Sequence, residues 1–185
     1  MTVNTKTAPH RTLRFDSFDE ILAEIGRIEA AMDAGTATTT GNWTIGQIGD
    51  HCARFIRFAC DGFEAKAPAP VRFFARLFML KKALSDEPIP PGFRLPKKAA
   101  SMLPEPGVTD AEGIGELRKQ IKRVLAGKNM THDSPLLGPL SHEQWVRLQC
   151  KHCALHLGFI DPGDTPGDPV EGGPRGDSCC CGKEG

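Results

Sequence analysis

Apolar residues recur at three- and four-residue steps in four stretches of the chain, which is the spacing of a helix with one buried face. Ser17 with Glu20 has the form of a capping box, and Phe18, Ile21, Leu22, Ile25 and Ile28 follow it. A first helix is predicted to run to about Asp33 and to stop at Gly35. Thr44 with Gln47 opens a second, from about Ile45 to Glu64, with the stripe Ile45, Ile48, Cys52, Phe55, Ile56, Ala59 and Phe63. Ile114, Leu117, Ile121, Val124 and Leu125 predict another over about Asp110 to Ala126. Ser141 with Gln144 opens the last, about five turns long and reaching Ile160. Its stripe of Trp145, Leu148, His152, Leu155, His156 and Phe159 is expected to face the core.

Two segments fit this pattern less well. Val71 to Leu84 reads as a shorter, basic helix whose apolar content is Phe73, Phe74, Leu77, Phe78 and Leu80. Asp86 to Gly107 carries Pro88, Pro90, Pro91, Pro96, Pro104 and Pro106, so it cannot be one regular element. No stretch alternates with the period of a strand. The expectation is an all-α bundle of four main helices, with a basic helix and a proline-rich insertion between the second and third of them.

At 185 residues the chain suits one domain, expected over 13–162, between a disordered N-terminus (1–12) and a disordered tail (163–185). Eleven of the last twenty-five residues are glycine or proline, which is why the tail is set apart. Lysine and arginine (23) balance aspartate and glutamate (23), so no net field argues for nucleic acid or an anionic membrane as partner. No apolar run suggests a signal peptide or a membrane span. Seven cysteines without an export signal then point to reduced thiols and a cytoplasmic location.

His152 and His156 place two imidazoles on one side of the last helix, about 6 Å apart along its axis. His51, on the second helix beside its stripe, is the best third ligand, because His10 and His132 lie in irregular segments and His142 sits off the stripe. Three neutral imidazoles suit zinc, nickel or iron(II) and leave positions open for water or substrate. The same residues also read as one satisfied core histidine and a locally packed pair. Cys150-x-x-Cys153 has the spacing of a metal or redox pair, but also reads as two small buried apolar residues. Arg72, Arg76, Lys81, Lys82, Arg94, Lys97 and Lys98 either capture an anionic substrate or form a solvated face. The Cys179–Cys181 run could bind soft metals or oxidise, or have no role. No catalytic acid or base stands out.

Trp43-Thr44-x-x-Gln47-x-x-x-His51, followed about one hundred residues later by Gln149-x-x-His152-x-x-x-His156-x-Gly158-x-Ile160, resembles the DinB-like metalloenzyme superfamily. Pro91-Gly92-Phe93-Arg94-Leu95-Pro96 and Leu137-Gly138-Pro139-Leu140 make it similar to one of that superfamily's uncharacterised bacterial subfamilies. The resemblance covers about Leu13 to Pro162. It implies an up-down-down-up four-helix bundle with its metal ligands at His51, His152 and His156, zinc first and nickel or iron as alternatives. It also implies a metal-dependent enzyme in which the metal activates a low-molecular-weight thiol (bacillithiol, mycothiol or glutathione) against an electrophilic small-molecule substrate. A hydrolase-like use of metal-bound water, or a stress-associated protein that binds a metal or small ligand without catalysis, are the alternatives. Members of the superfamily often pair as homodimers.

Overall fold

A computed structural model describes residues 2–64, 66–92 and 97–163. They are mostly helical: α1 (Phe18–Ala34), α2 (Ile45–Asp61), α3 (Ala69–Ala83), α4 (Asp110–Leu125) and α5 (His142–Leu157), with a 3-10 turn at Lys97–Met102. The Ser17 hydroxyl accepts from the Glu20 amide at the start of α1, and Gly35 ends the helix in the left-handed region at φ 71°. Complete capping boxes start α2 (Thr44, Gln47), α4 (Thr109, Glu112) and α5 (Ser141, Gln144).

Helix α2 stops three residues before the expected Glu64. Gly62 takes φ 112°, which turns Phe63 back onto the core, where its ring stacks 5.8 Å from Trp145. The Trp145 indole N–H donates to the His132 carbonyl at 3.0 Å, so the buried ring leaves no orphan donor.

Helix α2 packs on α4 and α5, and α1 packs on the same two. Contact between α2 and α4 is close enough to exclude side chains at its N-terminal end. A Cβ at Gly49 would lie 2.6 Å from the Gly113 carbonyl carbon and oxygen, and the Gly46 amide donates to Asp110 Oδ1 at 2.7 Å. Ile21, Ile25, Ile28, Ile48, Ile56, Leu117, Ile121 and Leu157 fill the centre, while Leu125, expected on the α4 stripe, is exposed.

The last helix differs from its expected form in two ways. It ends at Leu157, and Ile160–Asp161 forms a short strand (β2) antiparallel to Thr38–Thr39 (β1). The incoming N-terminal segment causes this ending. Arg11 N–H bonds the Gly158 carbonyl at 2.9 Å, its Nε bonds the Ile160 carbonyl at 2.6 Å, and a Cβ at Gly158 would meet the Arg11 carbonyl at 2.6 Å. Arg11 also pairs with the buried Glu24 at 2.6 Å, so residues 10–11, expected in a disordered N-terminus, are tied to the helices. Secondly, the core face of α5 is rotated from the expected stripe. It comprises Trp145, Gln149, Cys150, Cys153 and Leu157, whereas Leu148, His152, Leu155 and His156 are only half-buried.

Among the described residues no helix is long and apolar enough to cross a membrane. The Phe93–Pro96 motif residues and the Cys179–Cys181 tail lie outside the described residues.

Candidate metal centre

The fold brings His51, from α2, against His152 and His156, from α5. The ring centroids lie 4.9 Å (His51–His152), 4.5 Å (His51–His156) and 4.6 Å (His152–His156) apart. One ligand atom from each falls within 4.8 Å of the others. His51 Nδ1 is 2.6 Å from the Met102 carbonyl, which can only accept, so the proton is on Nδ1 and the lone pair on Nε2. That Nε2 faces His152 Nε2 at 3.2 Å. Two nitrogens bound to one tetrahedral zinc stand about 3.3 Å apart for bonds near 2.05 Å.

The electrostatics keep all three rings neutral, the form that ligates. Burial pushes His51 down to about 4, only partly opposed by the Met102 hydrogen bond and by Asp50. Burial holds His152 and His156 well below the usual imidazole range, helped by the neighbouring rings. Among the described residues, the buried His152 Nδ1 has no hydrogen-bond partner. Three neutral imidazoles around one point fit a divalent ion, and three protein ligands leave coordination positions for another.

Two neighbours complete the site. Trp43 lies just before the α2 cap. It sits 4.8 Å from His51 and stacks on His156 at 5.5 Å, while Phe55, one turn after His51, covers His152 at 4.5 Å. Both are half-buried and set aromatic rings against the cluster. In the sequence Trp43 stands in the Trp43-Thr44-x-x-Gln47-x-x-x-His51 motif with no role of its own. Its position eight residues before His51, at the mouth of the same helix, was the available signal. The second neighbour is the segment after the 3-10 turn. Asp50 accepts from the Glu105 amide at 2.7 Å and from Arg54 at 2.7 Å, and Arg54 reaches the Glu105 carboxylate at 2.6 Å. This clamp holds the Met102 carbonyl against His51.

The other histidines take other roles. His142 Nδ1 accepts from the Met130 amide at 3.2 Å, and the His132 ring would lie 3.5 Å from a Cβ at Gly62. His10, in an irregular segment as the sequence suggested, lies close to the cluster: its Nε2 bonds the Leu155 carbonyl at 2.8 Å, and its ring is near enough to depress His156.

Cys52, Cys150 and Cys153 are buried, free thiols. Burial pushes Cys150 up to about 12, and a hydrogen bond with Cys52 together with burial raises Cys153. They pack as small apolar groups, and burial holds Cys150 and Cys153 toward the protonated thiol. Arg72 pairs with Asp133 at 2.6 Å and Arg76 donates to the Leu137 and Pro139 carbonyls, so these two cations anchor α3 to the 133–139 loop. A groove of about 660 Å³ between the N-terminal segment, Pro88–Pro91 and α5 contains none of the three triad imidazoles.

Fold and site together define a helical protein with a three-histidine cluster between two helices. The family model described as "Protein of unknown function (DUF1569)" matches residues 7–163, and the chain belongs to that family. No curated protein and no solved structure matches the chain.

Proposed function

We propose that the chain is a DinB-like four-helix bundle that holds one divalent metal on His51, His152 and His156 and acts as a metal-dependent enzyme of thiol-transferase type. The observation that carries this reading is the convergence of three neutral imidazoles from helices about one hundred residues apart in sequence. The bundle is supported by the pairing of α1 with α4, α4 with α2, α2 with α5 and α5 with α1, a closed ring of four. When bound, the metal supplies a Lewis-acid centre that lowers the pKa of a coordinated low-molecular-weight thiol, so that its sulfur can attack an electrophile. Zinc fits first, and nickel and iron(II) also accept this donor set.

The chain's own residues bind and orient. His51 is fixed in one tautomer by the Met102 carbonyl, which aims Nε2 at the shared point. Trp43 and Phe55 present flat apolar walls that exclude water and suit an apolar or aromatic electrophile. Burial holds the Cys150 and Cys153 thiols toward the protonated form, so the attacking sulfur is assigned to a small thiol. A reduced cytoplasmic setting would supply one.

The test is metal analysis of untagged protein, followed by electrophile conjugation with bacillithiol, mycothiol, glutathione or cysteine. One metal per chain, lost in His152→Ala together with turnover while helical signal survives, is the expected result. Turnover lost in Cys150→Ser or Cys153→Ser with metal retained would move the nucleophile onto the protein and sink the mechanism. A second reading, metal binding without catalysis, is favoured by one observation. Among the described residues no carboxylate or hydroxyl hydrogen-bonds the triad. Stoichiometric metal with no reaction across the thiol panel would select it.

A further inference from the structure

Three buried side-chain polar atoms have no hydrogen-bond partner among the described residues: Arg72 Nε, Gln149 Oε1 and His152 Nδ1. The last two belong to α5. Trp145, Gln149, His152 and His156 follow one another at steps of four, three and four, so they share one column of that helix. Helical side chains lean toward the N-terminus, which lays the His152 ring over the turn that carries Gln149. Gln149 itself is enclosed, at 0 % exposure. Its amide nitrogen donates to the Phe55 carbonyl at 3.2 Å, a group that can only accept, so the nitrogen and oxygen ends of the amide are fixed. One end of the side chain thus ties α5 to α2. The other is an acceptor with nothing to accept, and buried polar groups in that state are rare.

The tautomer of His152 accounts for both orphans. The lone pair of His51 Nε2 faces His152 Nε2 at 3.2 Å, so in the metal-free chain His152 carries its proton on Nε2 and donates it across. His152 Nδ1 is then a bare lone pair near the Gln149 carbonyl oxygen. Two acceptors cannot satisfy each other. Once the Nε2 lone pair is given to a metal, the single ring proton resides on Nδ1. The ring stays neutral throughout, and the proton changes nitrogen by exchange with water. Nδ1 becomes a donor, with an unused acceptor on the column beside it.

We infer, on the metal reading given above, that Gln149 is the positioning residue of His152: its Oε1 accepts the Nδ1 proton of the metal-bound ring. A slight turn about the broad terminal torsion of the glutamine closes the bond. The Met102 carbonyl does the same for His51, so two of the three imidazoles have an oxygen behind the ring. Gln149 also holds the Phe55 carbonyl, one turn beyond His51, and so fixes the distance between the two helices that supply ligands. A methionine would fill the same space and leave the Nδ1 proton unpaired.

Zinc and the full, untagged chain supply the test. Two-bond proton–nitrogen correlation of the histidine rings is recorded without and with zinc, and zinc affinity is read by chelator competition for wild type, Gln149→Met and Gln149→Glu. The His152 proton is expected on Nε2 without zinc and on Nδ1 with it. Gln149→Met should weaken zinc binding ~10–100-fold with helical signal unchanged. Gln149→Glu should restore most of that loss, because a protonated carboxyl can donate to the Phe55 carbonyl and still accept from Nδ1. A Gln149→Met chain that is less stable yet binds zinc like wild type makes the amide a structural tie only and overturns the inference. So does a Gln149→Glu chain that binds no better than Gln149→Met. Zinc held through His152 Nδ1 in the wild-type spectra overturns it as well, even where the variants do not fold. Wild-type protein that takes up no zinc removes the metal reading and this inference together, so the two failures are told apart by wild type alone.

Discussion

Helices α3 and α5 are nearly equal in length, yet they use their residues in opposite ways. In α3, three phenylalanines, two leucines, a valine and a methionine lie along one turn after another, and only Ala75 is in the buried class. In α5, two cysteines and a glutamine are buried with Trp145, Ala154 and Leu157, and two half-buried histidines line a site. Burial here follows from what surrounds a helix, more than from how apolar it is. Helix α5 packs on α1 and α2, so even Gln149 is enclosed, its amide donating to the Phe55 carbonyl at 3.2 Å. Helix α3 is attached by two arginines on one side, so its other side stays outside.

Removing the largest α5 side chain tests this most severely. Trp145 is fully buried and stacks on Phe63, so Trp145→Ala should cost about 3–5 kcal/mol by the cavity it leaves. Denaturant titration reads this directly, and a loss below ~1 kcal/mol would mean that α5 is not a core helix.

The site between α2 and α5 should also show itself in the pH dependence. His51 has a folded-state pKa of about 4 against an ordinary 6.5, so the unfolded chain binds the proton more readily. Stability with metal chelated away should therefore be full above about pH 6.5 and fall as pH drops toward 4, by up to ~3 kcal/mol from this group. His51→Phe fills the position without titrating and should reduce the slope over that window, leaving the part that His152 and His156 contribute. An unchanged slope would mean that the ring is open to solvent.

A smaller effect is expected where the insertion meets α2. Arg54 binds Asp50 and Glu105, and so holds the Met102 carbonyl on His51. Arg54→Leu leaves all three imidazoles in place but loosens the orientation of one. Metal affinity, read by competition with a chelator, should weaken ~10–100-fold without being abolished. Affinity equal to wild type would show that the clamp does not position the ligand.

The same contrast explains what the sequence made legible. Helix starts were visible because Ser17, Thr44 and Ser141 are paired with a Glu or Gln three residues on, a local signal that needs no tertiary context. The clustering of His51, His152 and His156 was legible from their shared faces and the family motif. The rotation of α5 was not. Leucines at 148 and 155 looked like core but are only half-buried, while the cysteines at 150 and 153, readable as a metal or redox pair or as small buried apolar residues, take the interior. The α2–α4 contact at Gly46, Gly49 and Gly113 was invisible for a related reason, since glycine carries no periodic signal. A two-residue strand such as Ile160–Asp161 cannot display an alternation at all. Trp43 and the Met102 carbonyl were missed as site components because one precedes its helix and the other acts through the backbone.

The smallest expected effect belongs to α3, and it is the most discriminating. Phe78 is 73 % exposed, so in an isolated chain its ring contributes little beyond the stack with Phe74. Measured at dilutions where copies of the chain are separate, Phe78→Ser should change unfolding free energy by no more than about 0.5 kcal/mol. A loss above ~2 kcal/mol in the dilute protein would mean that Phe78 is covered within its own chain, and α3 would then be a core helix like α5.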